Sequence, residues 1–258
     1  MIKLPRTLHI EGSRMPHGRS DPDAIPFNKL TGEFLVIEEK LDGAGASLFF
    51  DSELDLQIWH RGSSASGKEF KLLHNWGFNH YDELFDLLGD RYMMFGEWMY
   101  HKHNIFYDKL PVFFFESDVY DIENKIFLST NARRELLNSA AFISSVPVLA
   151  VLKPTSLEQL TSLVSKSNYQ SEAWEDVLKT RCMQDSVSFD KIIKETDCSG
   201  LMEGLYIKHE DENQVLGRYK YVRHDFVQNI LDSGTHLMDR IPIANSLANT
   251  EDIQDYWR

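Results

Sequence analysis

The sequence predicts an α+β fold in which antiparallel sheets are flanked by helices. Short runs rich in aromatic and β-branched residues recur between residues 34 and 119 and again between 204 and 222, as is typical of strands. Between these regions, the apolar residues take up a helical spacing from about 131 to 200. The chain has 258 residues and is 42% hydrophobic, which is enough for a sizeable core. We therefore expect one domain spanning residues 1–258.

The N-terminal part of this domain is expected to be an extended lead-in followed by strands. The first thirty residues contain four prolines and two glycines, so an extended lead-in is predicted over residues 1–33. Tyr81–Leu88 has apolar residues at helical spacing and ends at Gly89, a common C-terminal cap. Five strands are predicted around that helix, at Phe34–Glu39, Ser47–Phe50, Leu56–His60, Tyr92–Trp98 and Val112–Val119. Their nearly continuous apolar character indicates that both faces are covered.

A helical layer is predicted over residues 131–200. Its helices are expected at Arg133–Ala141, after a capping box at Thr155–Glu158, and at Glu172–Thr180. We expect this layer to pack on the sheets.

Strands return after the helical layer. Gly204–Lys208 and Val215–Val222 are predicted to pair through the polar hairpin Glu210–Asn213. A short C-terminal extension over residues 225–258 is expected to be helical and then irregular.

Composition and charge exclude several classes of protein. No apolar segment approaches the roughly 18 residues needed to cross a bilayer, and the N-terminus lacks the apolar core of a signal peptide. Cys182 and Cys198 show no metal-ligand spacing, so packing roles in a reducing cytoplasm are expected. The formal net charge of −13 argues against a general nucleic-acid coat protein. It leaves room for an enzyme with a local basic groove.

Charged residues interrupt otherwise apolar strands at four places. These are Lys40-Leu41-Asp42-Gly43, Gly96-Glu97, the stretch from Glu203-Gly204 to Lys208, and the stretch Arg218-Tyr219-Lys220 to Arg223. Burying a charge without a partner costs free energy. One such place can be a structural ion pair, whereas four indicate a site, and the last is where an anion is expected to bind.

In order and spacing, these stretches resemble the KxDG, GE, EGxxxK and terminal basic-strand motifs of covalent nucleotidyltransferases. The similarity is closest to ATP-dependent RNA ligases and covers roughly Glu38 to Arg223. It implies an ATP-grasp-like nucleotidyltransferase (adenylyltransferase) domain. Because only residues 225–258 follow the last motif, no OB-fold domain is expected.

The resemblance also implies a reaction. Lys40 would attack the α-phosphate of ATP, release pyrophosphate and become lysyl-AMP. AMP would then pass to the 5′-phosphate of RNA, and a 3′-hydroxyl would displace it to seal the strand. ATP as AMP donor and Mg²⁺ or Mn²⁺ are the implied cofactors, and 5′-phosphorylated RNA ends or nicked nucleic acid are the implied partners.

Individual roles follow from the same resemblance. It assigns Glu39 to adenine, Arg61 to sugar or phosphate, Glu97 to a ribose hydroxyl, Glu203 to the metal, and Lys208, Arg218 and Lys220 to the phosphates. A lysine amine has a reference pKa near 10.4, and crowding Lys40 with those three cations would disfavour its protonated form. A one-residue slip would put Glu38 in place of Glu39. The segment Tyr100–Asn104, with two histidines, is expected to be a wet loop.

One position departs from the family pattern. The family usually has Phe-Asp on the adenine-stacking strand, where this chain has Ser117-Asp118. A serine offers no π-face for a base. Because strand side chains alternate, Phe115 projects to the same side and is expected to stack on adenine. The alternative is that Phe113–Phe115 is simply core.

Two other functions stay open at this point. A DNA nick ligase would use the same first step, and a nucleotide-binding or RNA-end-binding module could have lost catalysis. The presence of Lys40, Lys208 and Lys220 argues against the second alternative, and Ser117 is its only support.

Overall fold

The computed structural model of the chain describes residues 7–15, 24–226, 240–249 and 253–257. Its strands are β1 (Leu8–His9), β2 (Leu35–Lys40), β3 (Ala44–Phe50), β4 (Leu56–His60), β5 (Ser63–Ser64), β6 (Tyr92–Trp98), β7 (Phe114–Asp121), β8 (Ile126–Phe127), β9 (Ser144–Ser145), β10 (Val148–Leu152), β11 (Gly204–Glu210) and β12 (Val215–Val222). Its α-helices are α1 (Lys71–Asn79), α2 (Tyr81–Leu88), α3 (Thr130–Leu137), α4 (Leu157–Thr161), α5 (Trp174–Gln184), α6 (Phe189–Lys194) and α7 (Gln254–Trp257).

The strands form two sheets. In the first sheet the order is β1-β12-β11-β2-β10, and in the second it is β5-β4-β3-β6-β7-β8, with β9 also beside β7. Neighbours are antiparallel except for the short pairs β1 with β12 and β9 with β7. The structure confirms the predicted α+β class with antiparallel sheets flanked by helices.

Strand register places polar side chains in rows on one face of the first sheet. Glu38 pairs with Tyr206, and Tyr206 pairs in turn with Lys220. Lys40, two residues beyond Glu38, pairs with Gly204. Because side chains at i and i+2 of a strand share a face, Lys40 and the row from Glu38 to Lys220 project to the same side.

Strand pairing in the second sheet also places particular side chains on one face. Ser47 of β3 pairs with Trp59 on one side and Phe95 on the other. Two residues along, Gly45 pairs with Glu97. Aromatic and acidic groups therefore lie on the same face of this sheet.

Apolar clusters fix both sheets. The largest packs the second sheet against α1 and α2 through side chains such as Leu48, Trp76, Leu84 and Met94. Behind the first sheet, Leu160 of α4 packs on a smaller cluster. Fully burying side chains of this size stabilises a fold by roughly 1.5–3 kcal/mol each, so the sheets give the site a rigid frame.

Several predicted elements are confirmed with the bounds expected. They are the strands Leu56–His60, Tyr92–Trp98 and Val215–Val222 and the helix Tyr81–Leu88. Helix α1 was not predicted. The extension over residues 225–258, predicted to be helical and then irregular, is described only at 225–226, 240–249 and 253–257; residues 240–249 are not helical, and a short helix, α7, follows them.

The helical layer expected over residues 131–200 is wrong in two respects. Val148–Leu152 is not helical but pairs antiparallel with β2 as a strand of the first sheet. The capping box begins one residue later than predicted: Ser156 Oγ accepts from Gln159 N at 3.2 Å, and Thr155 N donates to Gln159 Oε1 at 2.9 Å. In the part of the chain that the structure describes, no helix is long and apolar enough to cross a membrane.

Candidate active site

Lys40 ends strand β2 and is held by a carboxylate. Its Nζ lies 2.7 Å from Glu203 Oε2, and the lysine side chain is 24% exposed. Glu203 directly precedes β11, where Gly204 pairs with Lys40. A Cβ on Gly204 would lie 1.9 Å from the Tyr221 carbonyl oxygen. Only glycine therefore lets β11 approach β12 closely enough at this point.

Asp42, two residues after Lys40, anchors the turn that follows it. Its carboxylate accepts from the backbone N–H of Asn104 at 2.6 Å and of Ile105 at 2.9 Å. Its own N–H donates to Tyr107 Oη at 3.1 Å. Lys102 and Asn104 are buried, so the prediction of a wet loop at Tyr100–Asn104 is wrong. The motif alone did not show that the Asp42 carboxylate is bound by the backbone of Asn104 and Ile105.

Gly43 brings the turn against Glu97. A Cβ at Gly43 would lie 2.5 Å from Met99 Sδ, 2.7 Å from the Trp98 carbonyl oxygen and 2.9 Å from Glu97 Cγ. Real Cβ atoms do not approach other atoms this closely, and backbone cannot move aside. The glycine of the motif thus sets the distance between the lysine-bearing turn and β6.

Two carboxyl groups near Lys40 have strongly raised pKa values. Burial raises the pKa of Glu203 to about 7 against the opposing effect of Lys40, and burial raises the pKa of Glu97 to about 7 in the same way. Burial also disfavours the charged form of Lys40, but Glu203, Glu97 and Asp42 outweigh it and raise the pKa of the lysine. The site therefore holds an ammonium among carboxyl groups.

This arrangement corrects the predicted activation of Lys40. The sequence placed Lys208 and Arg218 beside the nucleophile, where they would lower its pKa. Instead, Lys208 is 1% exposed and binds Glu38 at 3.0 Å, and Arg218 binds Asp118 at 2.8 Å. Neither cation lines the cavity beside Lys40.

A cavity of about 440 Å³ opens beside Lys40 and is lined by both sheets. This volume suits a small ligand. The cavity brings together five of the predicted site residues: Glu39, Lys40, Arg61, Glu97 and Lys220. Lys220 also opposes the rise in the pKa of Glu203, which places it in the same electrostatic environment.

Arg61 occupies a strained turn at the edge of this cavity. It and Gly62 join β4 to β5, and His60 pairs with Ser63. Their φ angles are 49° and 82°, so both lie in the left-handed region that two-residue hairpins require. A non-glycine residue there costs about 1 kcal/mol or more. Glycine or asparagine would adopt this backbone conformation at a lower free-energy cost than Arg61 does.

Glu38 and Glu39 point to different surroundings. Glu38 binds Arg133 at 2.7 Å as well as Lys208. Glu39 is 1% exposed, and burial raises its pKa to about 7 with an opposing hydrogen bond from Ser167. The ion pairs of Glu38 occupy its carboxylate, and Glu39 also lines the cavity.

The predicted stacking role of Phe115 is wrong for this structure. Phe115 is 1% exposed, packs on Tyr169 at 5.0 Å between ring centroids, and does not line the cavity. The aromatic lining residues are Trp59, Phe95 and Tyr206. Sequence reasoning missed all three, although Tyr206 lies inside the EGxxxK motif.

The carboxylates around Lys40 suit a divalent cation. Oxygen donors are those that Mg²⁺ and Mn²⁺ prefer, and Glu203 and Glu97 both interact with the Lys40 ammonium. Among the described residues, no three His, Cys, Asp or Glu side chains could hold a metal together. One or two carboxylates completed by nucleotide phosphates is the usual arrangement for Mg²⁺, and the residues present fit it.

Two antiparallel-rich sheets around a strand-end lysine with paired carboxyl groups are the arrangement of a nucleotidyltransferase domain. The protein-family model described as RNA ligase matches residues 33–222. Because this match spans most of the sequence, the chain belongs to the RNA ligase family.

Solved structures share the fold at low sequence identity. An apo mutant of Naegleria gruberi RNA ligase is 15% identical with a TM-score of 0.51, and the match covers 77% of this chain and 51% of that one. A mutant of the same ligase with ATP and Mn is 17% identical with a TM-score of 0.51, covering 93% and 63%. The chain thus spans about half the length of the first structure. A search of curated protein sequences found no match.

Proposed function

We propose that the protein is an ATP-dependent RNA ligase that joins 5′-phosphate and 3′-hydroxyl ends through lysyl-AMP. The observation that carries the proposal is Lys40, held 2.7 Å from Glu203 at a cavity that also presents Glu97, Arg61 and Lys220. Membership of the RNA ligase family supports the same reading. We further propose that residues 1–258 act as a single nucleotidyltransferase domain.

In the first step, the lone pair of Lys40 Nζ attacks the α-phosphorus of ATP. A P–N bond forms, the bond to the bridging oxygen breaks, and pyrophosphate leaves with the electron pair. Glu203 aims the amine through its contact with Nζ, while Lys220 and Arg61 bind phosphate or sugar oxygens. Positioning and charge stabilisation supply most of the rate in phosphoryl transfer.

Lys40 must lose a proton to solvent before it attacks, and its nitrogen releases a second proton to solvent once the P–N bond has formed. Glu203 and Glu97 are the residues that would hold Mg²⁺ or Mn²⁺ together with the phosphates. When bound, the cation supplies positive charge next to Lys40, which favours the neutral amine. The structures with ATP and Mn come from the Naegleria enzyme, and the same use of both is proposed here.

The base is proposed to lie against the aromatic lining of the cavity. Tyr206 comes from the first sheet, and Phe95 and Trp59 come from the second. Glu39, with its raised pKa, lies at the same cavity and would contact the adenine edge. In the second and third steps, AMP passes from Lys40 to an RNA 5′-phosphate, and a 3′-hydroxyl displaces it.

The proposal is tested by incubating the protein with α-labelled ATP and Mg²⁺, then with 5′-phosphorylated substrates. We expect a labelled protein, release of pyrophosphate, and sealing of strands whose 3′ end is a ribonucleotide. Sealing of deoxyribonucleotide ends alone would instead identify a DNA ligase, and ATP binding without pyrophosphate release would identify a binding module. A role in RNA repair and a reducing cytoplasmic location remain part of the proposal.

A further inference from the structure

Six charged side chains are buried together behind the cavity. The carboxyl groups belong to Glu38, Glu116 and Asp118, and the cationic groups to Arg133, Lys208 and Arg218; five are at most 1% exposed and Arg218 is 8% exposed. We refer to these six residues as the buried charge cluster. Three positive groups face three acidic ones, so the cluster can be neutral as a whole.

The cluster connects the two sheets. Glu38, Lys208 and Arg218 belong to β2, β11 and β12 of the first sheet, whereas Glu116 and Asp118 belong to β7 of the second. Arg133 comes from α3 and is 3.0 Å from Glu116. Because each buried charge needs a partner, these contacts hold the sheets at a fixed separation.

Two of the cations contact both walls of the cavity. Glu38 lines it from the first sheet and Ser117 from the second. Lys208 Nζ donates to Glu38 at 3.1 Å and to the Ser117 carbonyl at 2.5 Å. Arg133 donates through Nη2 to Glu38 at 2.7 Å and through Nη1 to the same Ser117 carbonyl. Neither Lys208 nor Arg133 lines the cavity itself.

We propose that Arg133 and Lys208 are positioning residues that set the width of the nucleotide cavity by tying Glu38 on one wall to the Ser117 carbonyl on the other. This role replaces the phosphate contact that the motif pattern implied for Lys208. It extends to Arg133, which no motif singled out. The ligand, ATP, rests on the proposed function.

A phosphate-binding role and a positioning role predict different losses of affinity. A cation that contacts phosphate contributes to binding of ATP but not of adenosine. A residue that sets the distance between the walls contributes to both, because the nucleoside lies between them. The comparison of ATP with adenosine therefore separates the two roles.

The test uses two charge-balanced double variants. Arg133→Met with Glu116→Gln leaves the pairs Glu38–Lys208 and Asp118–Arg218, which the structure shows at 3.0 and 2.8 Å. Lys208→Met with Glu116→Gln leaves Glu38–Arg133 at 2.7 Å and Asp118–Arg218. Neither double variant leaves an unmatched buried charge. Glu116→Gln alone is the background control, and Arg91→Met, which removes a half-exposed arginine paired with Asp121 on β7 outside the cluster, is the matched control.

Equilibrium binding of ATP and adenosine is measured in the Lys40→Ala background, in which lysyl-AMP cannot form. Both double variants are expected to lose about tenfold or more in affinity for both ligands relative to Glu116→Gln, while Arg91→Met binds normally. If either double variant fails to fold, Arg133→Lys, which keeps the charge but replaces two donor nitrogens with one, is expected to show the same joint loss.

Two results would overturn the inference. Normal affinity in the folded variants would show that the cluster only stabilises the fold. Loss of ATP binding with normal adenosine binding in the Lys208 variant would show a phosphate contact. If the wild-type protein forms no lysyl-AMP, the proposed function fails, yet these affinities can still be compared.

Discussion

At the scale of single residues, the central relation is between Lys40 and the carboxyl groups around it. Glu203 orients the amine but also raises its pKa, with Glu97 and Asp42. Lys40 is therefore held by Glu203 and protonated in this structure. Under the proposed function, a divalent cation held beside Lys40 would favour the neutral amine. On the proposed function, the reactive amine forms once a cation is bound beside Lys40.

The aromatic side chain of Tyr206 is predicted to contribute to base binding. Stacking of a base on an aromatic ring is worth roughly 1–3 kcal/mol, so Tyr206→Ala should raise the KM for ATP by about tenfold or more. Tyr206→Phe keeps the ring and should bind ATP as the wild type does. Steady-state kinetics of strand sealing at a series of ATP concentrations measure both. Equal KM values for the alanine and phenylalanine variants would assign the base to another wall.

The raised pKa of the Glu39 carboxyl group predicts that the stability of the folded chain depends on pH. Its pKa is raised from 4.5 to about 7 in the folded chain. The folded state therefore keeps the proton longer than the unfolded state, and stability falls as pH rises from about 4.5 to about 7. At 1.36 kcal/mol per unit, this loss is at most about 3 kcal/mol.

Glu39→Gln should abolish that part of the loss. Denaturant unfolding at pH 5 and pH 8 is expected to show a smaller difference for this variant than for the wild type. Glu53→Gln, at an exposed carboxylate, should leave the difference unchanged. Parallel pH profiles for wild type and Glu39→Gln would contradict the assignment of a raised pKa.

At the scale of elements, the turn after Lys40 is shaped by the close contact of Gly43 with β6. Gly43→Ala should cost about 1–3 kcal/mol through overpacking and displace Glu97. Gly45→Ala is the matched control, because the nearest atom to its Cβ would be Glu97 Oε2 at 3.8 Å. Thermal unfolding should show a lower Tm for the first variant and little change for the second. Similar Tm values would show that the turn can relax.

The bounds of helices and strands were predicted best where the sequence showed one unambiguous pattern. Tyr81–Leu88 has a clear helical spacing, Tyr92–Trp98 is a short and nearly continuous apolar run, and the bounds of both were correct. Val148–Leu152 falls within the predicted helical layer, and a five-residue apolar run has no periodicity that separates strand from helix. Its pairing with β2 depends on a partner more than a hundred residues away.

The residues of the site were likewise predictable only in part. Motif order identified Lys40, Glu97 and Glu203, which the structure brings together. It could not show that Lys208 is paired with Glu38, because charged residues on a strand read alike whether they face a ligand or a buried carboxylate. Which aromatic residue reaches the cavity likewise depends on how the two sheets pack.

At the scale of the whole molecule, the buried charge cluster predicts coupled stability. Removing one partner of a buried ion pair typically costs about 3–5 kcal/mol, since the other charge stays buried. Arg133→Met should therefore lose stability on that scale, and adding Glu116→Gln should restore a large part of it. Denaturant unfolding measures this coupling, with Arg91→Met as the control outside the cluster. Additive losses in the double variant would contradict a shared cluster.

The measurement that tests the account most directly is covalent labelling of Lys40. The protein is incubated with α-labelled ATP and Mg²⁺, denatured, and examined for bound label, with mass spectrometry to locate the adduct. Wild type and Lys191→Ala, which removes an exposed lysine on α6, are expected to carry AMP, and Lys40→Ala is expected to carry none. Label that survives Lys40→Ala, or a folded wild-type protein that binds ATP without becoming labelled, would contradict the assignment of Lys40 as the nucleophile.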